Sequence, residues 1–373
     1  MEQKTVTVKG PGNKEIGCRC TMVHTLVIGS GAAGLNTALQ LRRNGIEDIC
    51  IVTEGFDKGT SINTGSDKQT YYKLGMCGAQ EDSPFELAKS YLEGGSMHGD
   101  LALVEASVSP RAFVNLVSLG VPFPRDRYGQ FAGYKTDHDP RRRATSVGPY
   151  TSREMCRALI AEIRRLQVPV FENRVVVKLL TMTEHGERRA AGALAVHCTD
   201  TSISDASAPV EIYCAENTVF ATGGPGGIYK TSVYPGVHTG GIGLALMEGA
   251  LAQNLPESQF GLASTGFRWN VSGTFMQVVP RFISTGPDGA CDRQEFLLPY
   301  FATPGEMNSM IFLKGYQWPF DSRKVIGGSS IIDILVYIET AVKGRRVFLD
   351  FTCDADVFDF NDLSFAAYEY LDN

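Results

Sequence analysis

The chain has 373 residues, 43% hydrophobic and 20% charged, with a formal net charge of −6. This is the composition of a globular protein long enough for two domains, and its acidic balance argues against a nucleic-acid surface. The longest apolar stretch, around Ile331 to Ile338, is broken by Asp333 and too short to span a bilayer, so no transmembrane segment is expected.

Residues 1–22 read as an N-terminal leader. They lack the apolar run of a secretory signal, and the nine cysteines are odd in number and scattered, so reduced thiols in the cytoplasm are expected. Cys18-x-Cys20 has no partners at metal-site spacing, and no metal site is expected. His24 to Ile28 is a short β-branched run suited to a buried parallel strand. Gly29, Gly31 and Gly34, with Ala32 and Ala33 between the last two, form G-x-G-x-x-G and open a helix whose apolar face is Leu35, Ala38, Leu39 and Leu41. Ile49 to Val52 is the next strand, and Glu54 follows the last glycine by about twenty residues, where an acid can bind a ribose hydroxyl. The five features in order indicate a dinucleotide site; the glycines alone do not separate NAD from FAD.

Gly55 to Ser66 is polar and reads as loop. Tyr71 to Met76 and Pro84 to Leu92 read as short helices, and Leu101 to Leu119 as a longer one. Val121 to Pro149 is a long loop, rich in Pro, Gly and charge, that includes Arg141–Arg143 and His138. A structureless loop of that length inside a domain is usually functional. Thr151-x-x-Glu154 reads as a capping box. Val175 to Leu180, Ala193 to Cys198 and Val210 to Cys214 form an antiparallel meander, and Asn217 to Thr222 is a further strand running into Gly223–Gly224. A helix is expected over Gly240 to Ala252. Ser330-x-x-Asp333 caps an apolar helix ending at Gly344, and Arg346 to Phe351 is a strand. Tyr234 to about Arg345 reads as a second domain inserted after the first.

Six stretches in order resemble the flavoprotein subunits of succinate dehydrogenase and fumarate reductase, with L-aspartate oxidase among them. They are the glycine fingerprint with Glu54; Thr60 to Gly65; Ala144 to Leu159; Phe220 to Gly224 with Tyr229 and the His238–Thr239–Gly240–Gly241 turn; Glu257 to Phe260; and Asp321 to Val325 with Val347 to Asp350. The resemblance implies an α/β fold, with a Rossmann-like FAD-binding domain over 23–233 and an inserted α+β capping domain over 234–345. Residues 346–373 would begin a return to the first domain. It implies FAD contacts at Gly29, Gly31, Ala32, Ala33, Gly34 and Glu54, in the loop Ser61, Asn63, Thr64 and Gly65, and at Ala221, Thr222, Gly223 and Gly224. It further implies hydride transfer between the flavin and a small organic substrate, a separate electron donor or acceptor, and Arg323 as the proton-transfer group. Guanidinium is a reluctant acid, but it can clamp a carboxylate and pass a proton onward.

The chain also departs from the family. Ile62 stands where some members carry the histidine that links FAD covalently, so non-covalent FAD is expected. Gly240 replaces an acid, and Gly261 a histidine. Ser272 to Gln277 replaces the family's Thr–Glu substrate grip, leaving Thr274 and Arg281 as candidate substrate contacts. The chain ends at Asn373, before the family's C-terminal segment, which fits either a fragment or a broken gene. A catalytically incomplete flavin-binding fragment or electron-transfer partner is therefore the alternative.

Overall fold

The computed structural model describes residues 1–9, 11–13, 15–66, 69–76, 81–95, 97–136, 139, 141–198, 209–230, 232–234, 238, 241–255, 260–266 and 269–352. In chain order the strands are β1 (Glu2–Lys9), β2 (Glu15–Ile28), β3 (Ile49–Val52), β4 (Tyr71–Tyr72), β5 (Ala144–Thr145), β6 (Val170–Phe171), β7 (Arg174–Glu184), β8 (Glu187–His197), β9 (Val210–Phe220), β10 (Arg281–Thr285), β11 (Gln294–Glu295) and β12 (Arg346–Asp350). The α-helices are α1 (Ala32–Arg43), α2 (Thr60–Asn63), α3 (Pro84–Glu93), α4 (Gly99–Ser118), α5 (Thr151–Arg165), α6 (Ile242–Met247), α7 (Thr274–Gln277), α8 (Pro304–Lys314) and α9 (Ile331–Tyr337). None of the described helices is long and apolar enough to cross a membrane.

The chain divides into two units. The first is Met1–Gly65, Arg111–Phe123 and Tyr150–Gln253; the second is Ser66–Pro110, Pro124–Pro149 and Asn254–Asn373. The first is organised on β2. Its sheet runs β6-β3-β2-β9-β8-β7, with β1 also paired to β2. β3 and β9 lie parallel to β2, whereas β7, β8 and β9 form the antiparallel meander. Val23, Leu26 and Ile28 pack with Cys50, Val52 and Tyr213 in one buried cluster. The buried residues Leu35, Ala38 and Leu39 of α1, and Leu159 and Ile163 of α5, belong to two helices packed on each other. A strand covered on both faces needs apolar residues throughout, which is why Leu26–Val27–Ile28 shows no alternation.

Several local expectations change. The first 22 residues carry β1 and the first half of β2, paired from Glu2↔Met22 to Lys9↔Glu15. β1 is largely exposed, and its alternation is confined to Val6 and Val8, each only half-buried. Val210–Cys214 and Asn217–Phe220 are one strand, because Ala215–Glu216 holds no turn residue and β9 stays in register with β2 throughout. Tyr71–Tyr72 is extended and pairs with Ala144–Thr145, a partner too distant in sequence to anticipate. A single helical turn, α2, interrupts the loop after Glu54.

Neither expected capping box caps. Thr151 is buried inside the first turn of α5, and the Ser330 hydroxyl accepts the Asp321 N–H at 3.0 Å instead. Side-chain caps among the described α-helices include Ser83, accepting from Glu86 N–H at 3.2 Å, and Thr303, accepting from Glu306 N–H at 3.1 Å. Asp137–His138, Asp200–Ser207, Thr239–Gly240 and Glu257–Gln259 lie outside the described residues.

The second unit holds a three-stranded antiparallel sheet, β11-β10-β12. Its core joins Phe282 of β10 and Phe296 to Ile311, Phe312 and Leu313 of α8 and Ile332 and Leu335 of α9. Within that core Lys314 Nζ meets Asp333 Oδ2 at 2.5 Å, with both side chains buried. A second buried cation, Arg143, is forked by Asp82 at 2.8 and 2.6 Å and reaches Asp139 at 3.1 Å.

Candidate cofactor site

The site lies at the carboxyl ends of β2, β3 and β9. The Gly29 N–H donates to the Val52 carbonyl and the Ala221 N–H to the Ile28 carbonyl, each at 2.9 Å, so the three strand ends are joined. Gly29 has φ +102°, and a Cβ there would stand 2.3 Å from the Ala221 carbonyl oxygen. A Cβ on Gly34 would stand 2.1 Å from the Gly29 carbonyl oxygen. At Gly31 it would meet only the Ser61 hydroxyl, at 3.3 Å. Two of the three glycines thus let backbone meet backbone, and the third opens space.

That space is a cleft of about 420 Å³, lined by Gly29, Gly31–Ala33, Glu54, Lys58, Thr60, Ser61, Arg174, Ala221–Gly223 and Gly241, among others. α1 begins at its edge, with Gly31 as an N-cap that has no side chain to offer. The Ala32 N–H donates to Ser61 Oγ at 3.3 Å. The first N–H groups of a helix have no carbonyl partner within it, so this end favours an anion. Burial raises the Glu54 carboxyl above its ordinary pKa, and Lys58 pulls it partly back. The Ser30 hydroxyl lies 2.8 Å from Thr53 Oγ1 and donates to the Gly55 carbonyl at 3.2 Å, fixing the turn that carries Glu54. Arg174 is spent on Glu211, with two contacts at 3.1 Å.

Of the residues expected from sequence, Gly29, Gly31, Ala32, Ala33, Glu54, Ser61, Ala221, Thr222 and Gly223 line the cleft. Gly34 packs behind it. Asn63 donates to the Gly59 carbonyl at 3.1 Å and Thr64 Oγ1 to the Thr60 carbonyl at 2.9 Å, so both close the α2 turn. Gly65 and Gly224 are not among the lining residues. Arg323, Thr274 and Arg281 belong to the second unit. Arg323 is exposed, and its guanidinium is held by Asp321 at 3.0 and 2.9 Å, which draws the Asp321 pKa down to about 2. Thr274 is the first residue of α7. Arg281 pairs across the small sheet with Glu295 at 3.3 Å and Asp350 at 3.1 Å.

The sequence reading did not select Lys58, Thr60, Arg174 or Gly241. Thr60 and Gly241 lay inside two of the six stretches that carry the resemblance; Lys58 and Arg174 carry no local signal. His238 is buried, and its Nδ1 lies 2.9 Å from Thr60 Oγ1. A dinucleotide such as FAD fits this donor set: a glycine cradle that a Cβ would obstruct, an open helix N-terminus and an acid in the turn after the next strand.

Comparison with known proteins agrees. The family described as FAD binding domain matches residues 24–280. L-aspartate oxidase from Streptomyces coelicolor is 30% identical over 241 residues, covering 63% of this chain and 39% of that protein. A fumarate reductase (CoM/CoB) chain from Methanothermobacter marburgensis is 28% identical over 243 residues, covering 65% of this chain and 42% of that one. The matched stretch thus spans less than half the length of either relative. Among solved structures, a quinol fumarate reductase chain from E. coli superposes with a TM-score of 0.58 at 17% identity, over 79% of this chain and 50% of that chain. At that identity the likeness speaks for the fold alone.

Proposed function

The chain belongs to the FAD binding domain family, in the company of succinate dehydrogenase and fumarate reductase flavoproteins and L-aspartate oxidase, and on that premise we propose that it is an FAD-dependent oxidoreductase acting on a small organic substrate. When bound, FAD supplies a hydride acceptor and donor, and the favoured substrate bears a carboxylate or an unsaturated bond. The observation that carries the reading is the cleft in which Gly31, the N-terminus of α1, Glu54 and the end of β9 converge. The helix N-terminus receives the pyrophosphate, where its open N–H groups face the charge. Glu54 accepts from ribose hydroxyls, and Ala221–Gly223 bring backbone close to the ligand. Ile62 offers no nucleophile for a covalent link, so the cofactor is held non-covalently.

We assign the first unit to FAD binding and the second to the substrate. There Arg323 clamps a substrate carboxylate and holds the proton that the reaction moves. Electrons pass to or from a separate carrier, and the scattered cysteines fit a reducing, cytoplasmic setting. One observation favours a second reading, a flavin-binding or electron-transfer partner without catalysis: the Arg323 guanidinium is already engaged by Asp321.

The deciding experiment is the visible absorption spectrum of the purified 373-residue protein, repeated on the supernatant after acid precipitation. Two oxidised-flavin bands that move to the supernatant are expected. A protein that stays colourless after incubation with FAD would overturn the assignment. In the flavin-loaded protein, Arg323→Ala abolishes turnover under the first reading, whereas absence of any turnover in the unsubstituted protein selects the second.

A further inference from the structure

We propose that β12 is a docking edge for a second copy of this chain. Two β12 strands, one from each copy, pair antiparallel about a two-fold axis at Phe348 and join two three-stranded sheets into one. The edge belongs to the second unit and owes nothing to the cofactor reading.

β12 ends the sheet β11-β10-β12. Its inner edge pairs with β10 from Arg281↔Asp350 to Thr285↔Arg346, with no bulge. Beyond that ladder, Arg346–Asp350 make no backbone hydrogen bond to any other described residue, so the outer edge is open among them. An open row of N–H and C=O groups is a template for another strand, and exposed edges are commonly blunted by lysine, proline or a bulge. Arg346–Thr352, with the sequence RVFLDFT, has no lysine and no proline. The edge borders a cleft of about 660 Å³ whose walls include Leu262, Trp269, Val271 and Phe351, so apolar surface flanks it. On the strand itself Phe348 is 39% exposed.

The order of side chains along β12 says what fits the edge. Successive strand residues alternate faces, so Val347 and Leu349 point to one side, where both pack on the core of the unit, and Arg346, Phe348 and Asp350 to the other. Antiparallel pairing of β12 with itself, centred on Phe348, sets Arg346 opposite Asp350 of the second copy, twice by symmetry. It also sets Val347 opposite Leu349 and Phe348 opposite Phe348, and all of these are pairs that stabilise a sheet. Parallel pairing in register would instead oppose Arg346 to Arg346 and Asp350 to Asp350. A two-residue shift of the antiparallel register loses both ion pairs. The charges are available. Arg346 has no carboxylate partner among the described residues, and its guanidinium lies over the Phe348 ring at 5.3 Å, on the face that Asp350 shares. Asp350 is held by Arg281 at 3.1 Å and by Arg293. Arg281 in turn meets Glu295 at 3.3 Å, so the row Glu295–Arg281–Asp350 alternates in sign, and Arg346 of the second copy continues the alternation. An unrelated peptide would find the same backbone edge but not this charge order.

The first test is sedimentation of the purified 373-residue protein over a range of concentrations. A monomer–dimer equilibrium is expected, and a monomer at every concentration would overturn the proposal. So would a monomer that dimerises only when residues 353–373 are removed, since the edge would then belong to the chain's own tail. Arg346→Glu opposes like charges at both ends of the paired strands and should weaken the dimer by about tenfold, whereas Arg346→Lys should stay within about threefold of the parent. Arg346 is exposed, so both variants should fold as the parent does by circular dichroism. The second test reads the register. Phe348→Cys brings two Cβ atoms to about 5 Å across the two-fold axis, and mild oxidation with diamide should trap a disulfide-linked dimer above the level of the unsubstituted protein. Val347→Cys should not, because its two copies lie on a diagonal about 7–8 Å apart, too far for a disulfide. A dimer indifferent to Arg346→Glu, one that Phe348→Cys fails to cross-link, or one cross-linked equally by the two cysteine variants would refute the pairing.

Discussion

The three fingerprint glycines have separable physical roles, and alanine at each separates stability from ligand binding. At Gly34 the added Cβ meets the Gly29 carbonyl oxygen at 2.1 Å, a backbone atom that cannot rotate away. Overpacking of this kind costs about 1–3 kcal/mol. At Gly29 the Cβ meets the Ala221 carbonyl oxygen at 2.3 Å, and φ +102° adds left-handed strain, itself worth about 1–2 kcal/mol. At Gly31 the contact is the Ser61 hydroxyl at 3.3 Å, which a side-chain rotation relieves. For a unit of this size roughly 2–4 °C of Tm accompanies each kcal/mol. Gly34→Ala should therefore lower Tm by roughly 2–12 °C, and Gly29→Ala by more than that, as ligand-free proteins followed by circular dichroism. Gly31→Ala should melt within about 2 °C of the parent, yet bind FAD far more weakly, because its methyl group enters the cleft. If Gly31→Ala melts as early as Gly34→Ala, or Gly34→Ala melts with the parent, the division of roles is wrong.

Asp333→Ala leaves the buried Lys314 ammonium without its counter-charge, though it still donates to the Gln317 carbonyl at 3.1 Å, and urea titration should show a loss of about 3–5 kcal/mol. The paired replacement Lys314→Met with Asp333→Leu should recover most of that loss, since an apolar pair needs no desolvation. Glu54→Gln trades function for stability. Its folded-state pKa is raised by burial, so its favourable contribution exists below the unfolded value and is lost as pH rises through the folded one. Glu54→Gln should accordingly raise Tm of the ligand-free protein at pH 7, give no gain below about pH 4, and weaken FAD binding; equal gains at both pH values would refute the burial argument.

The cleft was legible where function and backbone geometry share residues. Gly29 and Gly34 are required by local backbone geometry and Gly31 keeps the cleft open, so their spacing, with Glu54 after the next strand, announces a site that the structure then assembles. The second wall was legible only in part. Ala221–Gly223 was read from the end of a strand and His238 from the turn that carries the resemblance, but Arg174 reaches the site through a pairing that no local pattern encodes. The capping signals misled because Thr151 and Ser330 each found tertiary surroundings that outweighed the local bond, whereas Ser83 and Thr303 kept theirs. β1 escaped notice because its apolar period is only two residues long, Val6 and Val8, in an otherwise polar strand.

The pairing of β2 with β9 has a consequence for biosynthesis. Arg19 and Glu211, side by side in those strands, are 192 positions apart. The glycine turn after β2 leaves the ribosome early, but the wall formed by Ala221–Gly223 arrives only when most of the first unit has been made. Until then the edge of β2 that β9 will cover presents unpaired N–H and C=O groups to any other chain. Closing so long a loop is slow, as non-local pairings are. A ribosome-bound chain that ends before β9 thus holds half a cradle, and cofactor capture is confined to the period after that strand has docked.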